Sequence, residues 1–115
     1  MSGKLMPRAK KTPALSGREI DQMSDSAREA SDFLKALAHE SRLHILCKLI
    51  DGEKHVSELE EALDIRQSTV SQQLARLRLE GLVTFRREGK QVYYSIADDD
   101  VRKIIKVLFD IFCKR

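Results

Sequence analysis

Two cysteines, Cys47 and Cys113, carry the most reactive side chains of this 115-residue sequence. One thiolate can be oxidised and a second thiol can then resolve it, so a pair of cysteines suffices for a two-thiol sensor. Taken singly, Cys47 is more typical of a small buried hydrophobe, because it falls on a helical apolar stripe with Leu43, Leu46 and Ile50. The sequence has neither a signal peptide nor an apolar stretch of membrane-spanning length, which predicts a cytoplasmic protein with reduced thiols and no membrane partner.

A metal site is the alternative use of the same thiols. Thiophilic metals need three or four Cys or His ligands, and His44, Cys47 and Cys113 supply only three, without a close pair of cysteines. We therefore predict no metal site and keep this trio as the runner-up. The sequence also lacks a Cys-x-x-Cys motif, a glycine-rich phosphate loop and a plausible Ser/His/Asp cluster, so neither an enzyme activity nor a cofactor is predicted.

A polar helix followed by a basic hairpin is typical of DNA recognition. In the helix predicted from Ser68 to Glu80, one narrow apolar stripe is formed by Val70, Leu74 and Leu77, spaced at four and three residues. Early polar residues of such a helix can meet base edges in the major groove, and arginines or lysines at a hairpin tip can bind phosphates or a narrow minor groove. Any one of these residues alone is more often plain surface. The candidate DNA-binding residues are Gln67, Ser68, Thr69, Ser71, Gln72 and Arg76 in the helix and Arg86, Arg87, Lys90 and Gln91 in the hairpin.

The elements that position these residues are predicted to be mainly helical, with one β-hairpin. Few aromatics (5%), five glycines and two prolines argue against an all-β fold. Helical periodicity predicts a first helix from Asp25, capped by Ser24 or Asp25, and a second that ends at Asp51-Gly52. These are followed by a short helix capped by Ser57 and then by the polar helix. Next come two strands, over residues 82–87 and 91–96, and a last helix, capped by Asp98, that runs from Asp99 to about residue 114.

The charge distribution separates the two ends of the molecule. The net charge is +3, and residues 1–24 alone carry five basic against two acidic residues. Residues 1–23 show no hydrophobic periodicity and are predicted to form a flexible basic arm, with an inert leader as the alternative. Within the remaining domain, residues 25–64 hold five basic and ten acidic side chains, whereas residues 65–90 hold six basic and two acidic ones. The basic surface thus falls on the polar helix and the hairpin.

The last helix has an apolar face broader than one small domain needs. We expect it to form a homodimer contact together with the first helix, the alternative being deep burial within its own domain. The face comprises Val101, Ile104, Ile105, Leu108, Ile111 and Phe112, flanked by Val107 and Phe109.

Three segments resemble the arsenical-resistance repressor (ArsR/SmtB) family of winged-helix regulators. They are residues 37–46, residues 68–78 with the following Gly81-Leu82-Val83, and residues 89–96. The resemblance covers about Asp25 to the C-terminus and departs at Glu40, where the family commonly has proline. It implies a winged helix-turn-helix homodimer over residues 24–115 that represses transcription on operator DNA and leaves when an inducer binds.

The placement of the cysteines resembles the persulfide-responsive subgroup of that family. One lies on the second helix and the other near the end of the last helix. This resemblance implies a persulfide or polysulfide inducer that bridges Cys47 and Cys113 and thereby releases the DNA. A plain disulfide needs Cα atoms about 4.4–6.8 Å apart, and each added S–S bond lengthens the bridge by about 2 Å. A fixed wider separation would therefore select for a polysulfide link.

Overall fold

The structure, a computed structural model, describes residues 14–113, so most of the predicted basic arm (residues 1–13) lies outside it. The fold is mainly helical with a small antiparallel sheet of strand order β1-β3-β2, which confirms the predicted winged helix-turn-helix. The elements are α1 (Gly17–Asp25), α2 (Ala27–Leu37), α3 (Glu40–Leu49), β1 (Lys54–His55), α4 (Val56–Leu63), α5 (Gln67–Leu79), β2 (Val83–Glu88), β3 (Gln91–Ile96) and α6 (Asp99–Phe112).

Helix α1 corrects the prediction of a flexible arm for residues 17–23. The Ser16 side chain accepts a hydrogen bond from the Glu19 amide (3.1 Å), and Glu19 Oε1 accepts one from the Ser16 amide (2.8 Å). This capping box satisfies two amides at the helix start. The prediction overlooked it because α1 buries none of its residues and so has no apolar face against the core. The predicted first helix begins instead at Ala27, after the break at Ser26.

The core lies between the end of α2, helices α3, α4, α5 and α6, and strands β2 and β3. The apolar stripe predicted for α5 is confirmed, since Val70, Leu74 and Leu77 are all fully buried. The stripe predicted for α3 was only partly right. Its buried side chains are Ile45, Leu46 and Leu49, with Leu43 and Ile50 partly buried, whereas Cys47 is exposed.

The structure also differs from the prediction at the start of α4 and in having a third strand, β1, which was not predicted. The His55 amide donates to Glu58 Oε1 (3.0 Å), so α4 begins after His55 and is not capped by Ser57. Residues Lys54 and His55 pair with Tyr94 and Tyr93 of β3. A two-residue strand leaves no alternation for a sequence pattern to reveal.

The hairpin and the last helix follow the prediction closely. Glu88 pairs with Gln91, which leaves a two-residue turn in which Gly89 has φ of 62°. Such turns require positive φ, which glycine adopts at low cost. The predicted cap of α6 is confirmed, because the Asp98 carboxylate accepts a hydrogen bond from the Asp100 amide (2.8 Å). No helix between residues 14 and 113 is long and apolar enough to cross a membrane.

Candidate DNA-binding surface and cysteine pair

Helix α5 presents its polar side chains to solvent because its three leucine and valine side chains are anchored in the core. The anchors at Val70, Leu74 and Leu77 occupy one narrow side, so the opposite side is free for contacts. Along the start of the helix the exposed residues are Gln67, Ser68, Ser71 and Gln72, with Thr69 half-buried. These are the side chains predicted to meet base edges. Arg76 is exposed one turn further on, where it pairs with Glu80 (3.2 Å).

Arg42 holds α5 in place and was not predicted as a site residue. Its Nε donates to the Ala36 carbonyl (2.7 Å), and its Nη2 donates to the Lys35 carbonyl (3.3 Å). Its Nη1 donates to Gln73 Oε1 on α5 (3.0 Å). One guanidinium therefore joins the C-terminal end of α2, helix α3 and the polar helix. Hydrophobic periodicity carries no signal for such a link between elements.

The hairpin carries basic side chains at its tip. Arg87, Lys90 and Gln91 are exposed there, as predicted for a wing. The guanidinium of Arg78, near the end of α5, lies 4.1 Å from the ring centroid of Phe85 on β2. This cation–π contact ties the base of the wing to the polar helix.

Arg86 differs from the other basic residues of the wing, because carboxylates already surround it. Its Nη2 lies 2.6 Å from Glu53 Oε2, and its Nη1 lies 2.8 Å from Glu88 Oε1. The hydrogen bonds that Arg86 donates to Glu53, and then the one that it donates to Glu88, raise the pKa of Arg86, and the hydrogen bonds from Arg86 lower the pKa of Glu53. The predicted contact between Arg86 and DNA would have to compete with these partners.

Both cysteines are free and exposed in the single chain. Neighbouring atoms still desolvate the Cys47 thiol, and this burial raises its pKa. The charge of the Cys113 thiolate raises that pKa further, while Lys48 partly offsets it.

The predicted metal alternative is not assembled. Within residues 14–113, nowhere do three or more His, Cys, Asp or Glu side chains come together as ligands for a metal ion. His44, Cys47 and Cys113 therefore do not form a three-ligand site within one chain.

Comparisons with known proteins agree with this geometry. Residues 39–84 match the model of the family described as bacterial regulatory protein, arsR family. The biofilm growth-associated repressor of Agrobacterium fabrum is 50% identical over 82% of this chain and 80% of its own length. The transcriptional activator HlyU of Vibrio cholerae is 40% identical over 83% of this chain and 88% of its own length. The crystal structure of the transcriptional repressor BigR from Xylella fastidiosa matches with a TM-score of 0.79 and 39% identity, covering 83% of this chain and 97% of that one. These relatives are regulators and not enzymes.

Proposed function

This chain belongs to the arsR family of bacterial regulatory proteins, and on that premise we propose that it is a homodimeric transcriptional repressor. It binds operator DNA through α5 and the β2–β3 hairpin, and it releases the DNA when sulfur bridges Cys47 and Cys113. The observation that carries the DNA-binding part is the exposed polar face of α5 beside a basic hairpin tip. Repression is favoured over activation because a repressor is the relative at 50% identity, against 40% for the activator.

The proposed contacts form two groups, one in the major groove and one at the phosphates or the minor groove. The face formed by Gln67, Ser68, Thr69, Ser71 and Gln72 enters the major groove, where amides and hydroxyls distinguish base pairs. Arg76, Arg87, Lys90 and Gln91 lie towards phosphates or the minor groove, and they supply affinity more than sequence preference. Residues 65–90 hold six basic and two acidic side chains, so this part of the domain attracts the polyanion.

The dimer is supported by large apolar side chains that one chain leaves exposed. Those on the first two helices are Ile20, Met23 and Leu34, and those on α6 are Val107, Phe109, Ile111 and Phe112. The proposed dimer surface therefore includes α1 as well as α2 and α6.

DNA binding is tested with a duplex that the wild-type protein selects from a randomised pool of 30-base-pair duplexes. We expect Gln72→Ala to weaken binding of the selected duplex and to relax its sequence preference. Arg87→Ala should weaken all duplexes and reduce the slope of log K against log salt by about one. Arg28→Ala removes an exposed positive charge from α2 and serves as the matched control. Failure to enrich any sequence would refute operator binding, and increased transcription from a promoter containing the site would indicate an activator.

In the proposed sulfur chemistry the two thiols react one after the other. Burial raises the pKa of the Cys47 thiol and so disfavours its thiolate, and we therefore assign the first attack to Cys113. Its thiolate attacks the outer sulfur of a persulfide RSSH, which gives Cys113–S–SH and releases the thiol RSH. The same transfer to Cys47 yields a second persulfide. Attack of its terminal sulfur on Cys113 Sγ then expels hydrogen sulfide and leaves a three-sulfur bridge, and no other oxidant is required.

Bridging links α3 to the end of α6, and we infer that this alters how the two chains meet. Two recognition helices must lie about 34 Å apart to enter successive major grooves, so a small rotation between chains abolishes simultaneous binding. Mass spectrometry after treatment with a persulfide donor should show Cys47 and Cys113 joined with one added sulfur. Release of DNA by a Cys47→Ser or Cys113→Ser protein on the same treatment would exclude this mechanism. A plain disulfide in the wild-type protein would instead identify a general thiol oxidant as the inducer.

A further inference from the structure

A single guanidinium on strand β2 is bound from two sides. Arg86 Nε lies 2.9 Å from Glu53 Oε1 and 3.2 Å from Oε2, and its Nη2 lies 2.6 Å from Glu53 Oε2. The opposite side of the fork reaches Glu88, with Nη1 2.8 Å from Oε1. Bidentate pairing of this kind restricts the orientation of both side chains.

The Arg86 side chain runs across the sheet. Arg86 on β2 lies opposite Tyr93 on β3, and Tyr93 lies opposite His55 on β1. The guanidinium carbon is 4.7 Å from the centre of the Tyr93 ring, and the His55 ring meets the same tyrosine edge-on at 5.6 Å. Because Glu53 directly precedes β1, the side chain of Arg86 passes over the middle strand to reach the far edge of the sheet.

The contact joins the wing to the body of the domain. Glu53 lies in the loop between α3 and β1, and it is separated from Arg86 by 33 residues. Strand β2 has no direct pairing with β1, since β3 lies between them. Isolated exposed ion pairs contribute little to stability. A bidentate fork that also stacks on an aromatic ring is better suited to fixing an orientation than to binding a passing phosphate.

We propose that Arg86 is a positioning residue, which braces the wing against the α3–β1 loop through Glu53 and leaves the phosphate contacts to Arg87 and Lys90. This inference rests on the proposed DNA-binding function, since the orientation that it sets is the one that the wing needs on DNA. It assigns a role to Glu53, which the charge pattern alone places among the acidic residues of the first half of the chain.

The two possible roles of Arg86, a brace or a phosphate contact, predict opposite changes in DNA affinity for Glu53→Gln. If Arg86 binds phosphate, removal of its acidic partner frees it, and the affinity for the selected duplex rises. If Arg86 is a brace, Glu53→Gln weakens that affinity by about threefold to tenfold, in line with coupling energies of contacting residues. Glu61→Gln, on the exposed side of α4, is the matched control for the loss of one negative charge.

The salt dependence gives a second readout. Arg86→Gln should weaken binding without changing the slope of log K against log salt, whereas loss of a phosphate contact reduces that slope by about one. The double variant Glu53→Gln/Arg86→Gln should bind no more weakly than either single variant. Arg86→Lys keeps the charge but loses the fork, so it should behave like Arg86→Gln. Higher affinity in Glu53→Gln, or a reduced slope in Arg86→Gln, would overturn the proposal.

Amide hydrogen exchange in β2 and β3 tests the brace without DNA. We expect Glu53→Gln and Arg86→Gln to accelerate exchange of the hairpin amides by similar factors, and the double variant to add nothing further. Unchanged or additive rates would overturn the brace. If the wild-type protein selects no duplex, but the two substitutions accelerate hairpin exchange equally and without adding up, the proposed function fails and the brace stands. The two ideas are therefore separable.

Discussion

Replacing Arg42 with methionine removes three hydrogen bonds while keeping most of the side-chain volume. The bonds to the Ala36 carbonyl (2.7 Å) and to Gln73 (3.0 Å) are partly buried, and the one to the Lys35 carbonyl (3.3 Å) is exposed. A hydrogen bond from a charged donor contributes about 1.5–3 kcal/mol to stability. Because solvent reaches these side chains, we count each of the two partly buried bonds at the lower end of that range and neglect the exposed one, so we expect a loss of about 3 kcal/mol in the free energy of unfolding.

The assay is urea denaturation followed by circular dichroism at neutral pH and at one protein concentration, since dimerisation links stability to concentration. Arg28→Met, on the exposed surface of α2, is the control and should change stability by no more than about 0.5 kcal/mol. Gln73→Leu should reduce the further cost of Arg42→Met, because the two side chains share a hydrogen bond. A loss below about 0.5 kcal/mol for Arg42→Met would refute the view that this guanidinium joins α2, α3 and α5.

Three further predictions concern titration and packing. Cys113→Ser should lower the pH midpoint for alkylation of Cys47, because the neighbouring thiolate is removed. The midpoint should stay above the ordinary cysteine pKa, because burial also raises the pKa of Cys47. An unchanged midpoint would mean that the two thiols do not interact. Since the pKa of Glu53 is lowered in the folded protein, its pairing with Arg86 should be complete above the ordinary glutamate pKa and lost as the pH falls through the lowered value. Hydrogen exchange of the hairpin should accelerate over that acidic range in the wild type and be insensitive to it in Glu53→Gln. Leu74→Ala should cost about 2–5 kcal/mol in urea denaturation, because Leu74 is fully buried in the core, and a smaller loss would show that the site collapses around the cavity.

Much of the structure of the candidate DNA-binding surface could be predicted because its signals are local. Three buried positions on α5 define which side of the helix faces solvent, and the glycine of the hairpin turn defines where the strands reverse. The cap at Asp98 is equally local, since carboxylate and amide are two residues apart. For these elements the amino acid types and their period already specify the structure.

Other features were mispredicted where an apolar period was weak or misleading. Helix α1 has no buried face, so only its capping box marks it. Cys47 fits the spacing of an apolar stripe, yet the buried side of α3 runs through Ile45, Leu46 and Leu49, and the thiol lies outside it. The cysteine side chain is small enough to be either buried or exposed, so the residue type alone does not decide between the two positions.

The sequence by itself determined the order of helices and hairpin, the polar face of α5 and the presence of two thiols, because each depends on neighbours within a few residues. Only the tertiary structure decided which long side chains are already engaged. Arg86 and Arg87 are adjacent and chemically identical, but the carboxylate of Glu53, 33 residues away, binds the guanidinium of Arg86, whereas that of Arg87 lies 5.7 Å from the Phe85 ring centroid. Likewise, Arg42 meets Gln73 across 31 residues. Such pairings arise when packing brings distant segments together, and no local period of the sequence records them.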